Sequence, residues 1–130
     1  MAIVEQERRG MVEILRFNRP EARNAQNRGM LVELDEAFLR AEADDSCKVV
    51  ILGGAGGVFS SGHDMGSALA MDEYTNHPST TINGGTREGA EKRHLQEWHY
   101  FFQNTLRWRN LRKITIAQVQ GKCVAAGMML

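Results

Sequence analysis

His63 and Asp64 stand side by side, behind Gly62 and ahead of Met65 and Gly66. A histidine beside an aspartate is the first pair in the chain that could move a proton. Adjacent residues seldom face each other, so Asp64 reads more simply as a helix N-cap. His77, His94 and His99 lack metal-ligand spacing, with His94 and His99 off a single helical stripe. No metal is expected. Cys47 and Cys123 show neither metal nor redox spacing. Gly53-Gly54-Ala55-Gly56-Gly57 fits no dinucleotide fingerprint with its downstream acid, and no phosphate-loop Lys-Ser/Thr follows it. Taken alone it is a flexible turn. Met65, Met71, Met128 and Met129 gather around two segments containing glycine. They could line an adaptable pocket or simply fill core gaps.

The elements that must position these residues can be read from periodicity. Residues 3–8 and 11–17 read as strands, with Arg9-Gly10 as the tight turn between them. Pro20 and the asparagines Asn18 and Asn24 break regularity. From Arg28 to Glu42 the apolar residues Met30, Leu31, Leu34, Ala37, Phe38 and Ala41 fall at helical spacing. Lys48-Val49-Val50-Ile51-Leu52 reads as a buried strand. Residues 72–90 are polar and read as a long irregular loop. Helical spacing returns from Glu88 to Arg109, where Trp98, Phe102 and Leu106 read as core contacts. Ile114 to Val119 is a further strand candidate. Two strands and a helix, then strand, helix and strand, predict an α/β class with helices packed on a sheet.

The 130 residues suffice for one domain. Sixteen basic and sixteen acidic residues give zero formal charge, so no global basic field exists to attract nucleic acid or an anionic membrane. No apolar run approaches the ~18 residues of a membrane span. Met1 to Glu7 has neither a basic flank nor an apolar stretch, which argues against a signal peptide and for a cytoplasmic protein. The last residues, Val124 to Leu130, are apolar. Chains seldom stop on such a segment, so residues 1–130 are expected to be the N-terminal part of one domain, truncated at Leu130.

Three segments carry a family resemblance. Phe17-Asn18-Arg19-Pro20-Glu21-Ala22-Arg23-Asn24-Ala25 looks like "N-R-P-x-x-x-N-A". Phe59 to Met65 is similar to "F-x-x-G-x-D-[LIM]". Lys113 to Gly127 looks like "K-P-x-I-A-x-V-x-G-x-x-x-G-G-G". Each is weak alone, but in this order they resemble the N-terminal half of the crotonase (enoyl-CoA hydratase/isomerase) family. The resemblance implies a ClpP/crotonase-like fold of repeated ββα units, incomplete in this chain. It implies an enzyme of fatty acid metabolism, a lyase or isomerase, that stabilises a thioester enolate with two backbone N–H groups. Such donors are worth on the order of 3 kcal/mol each in the transition state. The matching positions are the N–H of His63 and the N–H of Ala126. Small residues such as Gly62 and Gly127 would allow close backbone approach. Ala22, Arg23, Ala25, His63, Asp64, Met65 and Gly66 would line the coenzyme A channel, with Arg23 offered to a phosphate. Coenzyme A is then part of the substrate and no separate cofactor is implied. Assembly as a homotrimer or a dimer of trimers is implied as well.

The chain departs from the family pattern in four places, one of them His63, which is bulkier than the alanine often found there. The triple glycine reads Ala125-Ala126-Gly127, and Ile114 replaces the proline. Met129 stands where hydratases carry their first catalytic glutamate, and methionine cannot transfer a proton. An acid beyond Leu130 would then be needed, or the protein is a non-catalytic acyl-CoA binder of the same fold. A serine peptidase of the related Clp fold would need a serine at Ala125 and is set aside. A pure interaction module using the helix at 88–109 is a further alternative. The loop at 72–90 is the candidate source of acyl specificity.

Overall fold

Alternation of apolar and polar residues from Val4 to Phe17 makes a hairpin, β1 (Val4–Arg9) and β2 (Val12–Phe17), paired antiparallel from Val4↔Phe17 to Arg9↔Val12. A computed structural model describes residues 2–76 and 89–130. The turn is Gly10-Met11 rather than Arg9-Gly10, and Gly10 takes φ +57° there. A 3-10 turn, Pro20–Ala22, leads to α1 (Arg28–Ala43). The N-cap Asn27 makes no side-chain cap. Instead Glu73 reaches in from a later helix, accepting from Gly29 N–H at 3.2 Å and from Asn27 Nδ2 at 2.7 Å. A tertiary carboxylate thus satisfies one of the orphan donors at the start of α1.

The strand β3 (Val49–Gly54) returns parallel to β2, and β4 (Ile114–Ala117) lies parallel to β3, giving the order β1-β2-β3-β4. Parallel neighbours require crossovers. The first is α1. The second carries α2 (Ala68–Asn76), α3 (Gly89–Glu97), a π-helical turn at Trp98–Gln103 and α4 (Asn104–Arg109). Residues 72–76 are therefore helical rather than loop. The rest of the expected loop, from His77 to residue 88, lies outside the described residues.

The core lies between α1 and one face of the sheet. Met30, Leu31, Leu34, Phe38 and Ala41 pack with Leu15, Phe17, Val50, Leu52 and Phe59. Burying each large side chain contributes about 1.5–3 kcal/mol. Phe17 and Phe59 meet edge to face at 5.6 Å, and Phe38 stacks on Trp108 at 5.2 Å. Asp35 anchors α4 by accepting from Arg107 Nη2 at 2.8 Å and Trp108 Nε1 at 2.8 Å.

The helical reading of 88–109 chose the wrong face. Trp98, Phe102 and Leu106 are exposed, while Gln96, Tyr100, Asn104 and Trp108 are buried. Two of the buried positions are polar and hydrogen-bonded through their side-chain oxygens: Gln96 accepts from Arg28 and Asn104 from Arg107. The π turn, closed by Asn104 N–H on His99 O, stretches the stripe to four-residue steps.

Candidate active site

The segment after β2 is fastened to the segment after β3 by buried polar groups. Arg23 and Asn24 both adopt φ 53°, a left-handed turn that Asn tolerates. The Asn24 Oδ1 accepts from Arg19 N–H at 2.9 Å, while Nδ2 donates to Ala55 O at 2.9 Å and Val58 O at 2.8 Å. Ser60 Oγ donates to Asn24 O at 2.9 Å and accepts from Gln26 Nε2 and Gly62 N. Gln26 N donates to Gly62 O at 2.7 Å, and Asp64 N donates to Gln26 O at 2.9 Å. These bonds form an isolated parallel bridge between Gln26 and His63. In such a bridge the middle residue turns its own N–H away from its partner. His63 N–H therefore faces away from Gln26.

The segment leading into His63 runs beside residues 123–126. Ser60 bridges Cys123, and Val124 N donates to Ser60 O at 3.0 Å. Gly62, at φ +92°, passes so close that a Cβ there would lie 2.9 Å from Val124 O and 3.2 Å from Ala126 N. Ala126 is buried at the start of a 3-10 turn, Ala125–Met129. Among the described residues, no hydrogen bond takes up the N–H of His63 or of Ala126. The Ala126 nitrogen thus lies beside Gly62, the residue that precedes His63. The left-handed strain falls on Ala125, at φ 50°, and not on Ala126.

Asp64 is not the helix cap. Ser67 is: its Oγ accepts from Ala70 N–H at 3.1 Å, three residues into the turn. Asp64 sits one step earlier, accepting from Ser67 N–H and Ser67 Oγ at 3.1 and 2.7 Å. Its other partner is Arg19 Nη1 at 2.9 Å, and both side chains are almost wholly buried. Burial alone raises the Asp64 pKa, but the Ser67 hydrogen bonds and the Arg19 charge outweigh it and hold the carboxyl below the ordinary aspartate value. The Asp64 carboxylate is thus committed to positioning the loop.

The His63 imidazole packs edge-on against Phe101. Its Nε2 lies 3.5 Å from Glu97 Oε2, at ion-pair distance. Burial lowers the His63 pKa, partly offset by Glu97. His63 and Glu97 share a cavity of about 290 Å³ with Trp98, Phe101, Phe102 and Met129. A second cavity of about 300 Å³ is lined by Asp64, Met65, Arg28, Arg93 and again Glu97.

The structure brings the sequence-predicted residues into one region. Arg23 O accepts Ser61 N–H at 3.0 Å, setting Ala22, Arg23 and Ala25 beside the segment that carries His63 and Asp64. Met65 and Gly66 follow as exposed residues. Sequence reasoning passed over Arg19, Asn24 and Ser60 as fasteners, although Arg19 and Asn24 stand inside the first motif. It also passed over Glu97, which no motif marks. Among the described residues no cluster of three metal-ligating side chains occurs, and no helix is long and apolar enough to cross a membrane.

Residues 7–85 match the family described as enoyl-CoA hydratase/isomerase. The chain is 57% identical over 125 residues to EchA13 of Mycobacterium tuberculosis, assigned as an enoyl-CoA hydratase, covering 93% of this chain and 39% of that protein. It is 32% identical over 117 residues to the mitochondrial Delta(3,5)-Delta(2,4)-dienoyl-CoA isomerase of Mus musculus, covering 89% and 33%. A crystal structure from Mycobacterium smegmatis, assigned as an enoyl-CoA hydratase, superimposes with a TM-score of 0.79 at 34% identity, covering 99% of this chain and 45% of that one. The chain therefore spans less than half the length of these relatives. Its mixed sheet and opening ββα unit are part of the crotonase fold.

Proposed function

The chain belongs to the enoyl-CoA hydratase/isomerase family, and from that premise we propose that it binds an acyl-CoA thioester with the thioester oxygen between His63 N–H and Ala126 N–H. The observation that carries this reading is the contact of Gly62 with Ala126, where a Cβ would come within 3.2 Å of the Ala126 nitrogen. That approach supports a pairing of the two backbone donors, with His63 also lining a largely apolar cavity. As a C–H or C–O bond rearranges, negative charge grows on the thioester oxygen. Fixed donors stabilise this charge more than the ground-state carbonyl, by about 3 kcal/mol each.

Ala22, Arg23, Ala25, His63, Asp64, Met65 and Gly66 form the coenzyme A side of the site. Asp64 contributes through main chain, since its carboxylate holds Arg19. Arg23 is exposed, and Arg28 and Arg93 line the neighbouring cavity; guanidinium groups suit phosphate. The acyl group enters among Trp98, Phe101, Phe102 and Met129. Coenzyme A belongs to the substrate, with no separate cofactor. A cytoplasmic homotrimer or dimer of trimers serving fatty acid metabolism completes the reading.

Met129 favours a second reading, a non-catalytic acyl-CoA binder, because its thioether cannot relay a proton. The two are separated with the full-length protein, crotonyl-CoA and a 3-enoyl-CoA. Hydration or double-bond migration supports the enzyme. Tight binding without turnover supports the binder. Absence of binding to either thioester contradicts both.

A further inference from the structure

We propose that Glu97 is the proton-transfer carboxylate of this site, an inference that rests on the thioester reading above. The motif position that would supply an acid is Met129. Met129 lines the same cavity as Glu97. Asp64 is consumed by Arg19 and Ser67. Glu97 has no such commitment: its side chain is 58% exposed, and its contact with His63 Nε2 is 3.5 Å. It is also the residue that lines both cavities, standing where the aromatic acyl pocket meets the groove of Asp64 and Met65.

The backbone explains why a carboxylate arrives there. Glu97 ends α3, and the π turn begins at Trp98. Widened turns of this kind redirect side chains and recur at functional sites. Here the turn buries Tyr100 and leaves Trp98 and Phe102 exposed beside Glu97. His63 joins the two halves. Its N–H serves the thioester oxygen, and its imidazole Nε2 faces the Glu97 carboxylate at 3.5 Å without a hydrogen bond between them. The other charged or titratable groups around the carboxylate are His94 on the aromatic side and Arg28, Asp64 and Arg93 on the groove side.

A single carboxylate suffices for double-bond migration in a 3-enoyl thioester. Glu97 takes a proton from C2, and the C–H electron pair flows into a dienolate whose oxygen accepts from His63 N–H and Ala126 N–H. The carboxylic acid so formed returns the proton to C4, leaving the double bond between C2 and C3. No water, oxidant or reductant is consumed.

The test compares the full-length protein with Glu97→Gln, using a 3-enoyl-CoA for turnover and a saturated acyl-CoA for binding. A positioned general base is worth about 10²–10⁴-fold. Glu97→Gln should lower isomerisation, and exchange of the C2 protons with deuterium oxide, by at least about 100-fold. Affinity for the saturated thioester should stay within about threefold, since the oxyanion donors are untouched. Glu97→Asp should keep a measurable part of the exchange. Undiminished exchange in Glu97→Gln overturns the assignment. So does an unaltered protein that binds thioester yet neither isomerises nor exchanges. Failure of the unaltered protein to bind thioester removes the site reading itself, and this inference with it.

Discussion

Arg19 and Asp64 meet at 2.9 Å with both side chains almost wholly withdrawn from solvent, tying the turn after β2 to the loop after β3. Arg19 Nη1 also donates to Ala25 O and Asn27 Oδ1. The pair is thus embedded in hydrogen bonds, the condition under which a buried ion pair holds its geometry. Removing one partner strands the other charge. Arg19→Ala should lose about 3–5 kcal/mol in denaturant unfolding, whereas a loss below about 1 kcal/mol would place the pair in a solvated setting.

The same pair gives acid sensitivity. The Asp64 carboxyl is held below its ordinary value in the folded protein. Its contribution is complete above the unfolded aspartate pKa of about 3.9 and is lost as pH falls through the lower folded value. Asp64→Asn should therefore be less stable at neutral pH and show a flatter decline in strong acid. Stability curves measured between neutrality and strong acid for both proteins check this.

His63 gives a second pH signature, nearer neutrality. Burial lowers its pKa, against the pull of Glu97. The unfolded chain then binds the proton more readily. Stability from this group is complete above about pH 6.5 and falls as pH drops toward the folded value. Nuclear magnetic resonance titration should place the His63 midpoint below 6.5, and Glu97→Gln should push it lower still. A midpoint that rises in that variant contradicts the contact.

Gly62 is the residue at which substitution should be most damaging to the site. Its φ is +92°, and a Cβ would meet Val124 O at 2.9 Å and the Ala125 Cβ at 3.1 Å. Gly62→Ala should cost about 1–3 kcal/mol of stability and weaken thioester binding by separating the two donors. Equal affinity in variant and parent would contradict the proposed placement of the thioester oxygen.

Ala125 carries strain that a glycine would relieve. At φ 50° a Cβ costs about 1–2 kcal/mol, offset by the greater entropy glycine loses on folding. Ala125→Gly should raise stability by about 0.5–1 kcal/mol without moving Ala126 N–H. A destabilised variant would show that the methyl makes contacts outweighing its strain.

Strong periodicity made the framework legible. The alternating hairpin, the apolar stripe of α1 and the β-branched run of β3 each have a single low-energy reading, and the structure follows them to within a residue or two. The helix before β4 was legible as a helix but not in its orientation, because Gln96 and Asn104 are buried and hydrogen-bonded while Trp98 and Phe102 lie outside. Hydropathy cannot anticipate that inversion, nor a π turn that shifts the register. At the site, the three motifs mark backbone positions well, since Gly62 and the small residues at 125–127 exist to permit close approach. They say nothing of Glu97, which reaches His63 across 34 residues of sequence through tertiary packing alone. Asp64 was misread as a cap because its partner, Arg19, is still more distant in sequence, 45 residues away.

The placement of a thioester oxygen between His63 N–H and Ala126 N–H is tested most directly by isotope-edited infrared spectroscopy of a carbonyl-labelled acyl-CoA bound to the full-length protein. Two convergent donors polarise the carbonyl, so its stretching band should fall well below that of the free thioester in water, and Gly62→Ala should return part of the shift. A bound thioester whose band stays at the free position would contradict the account.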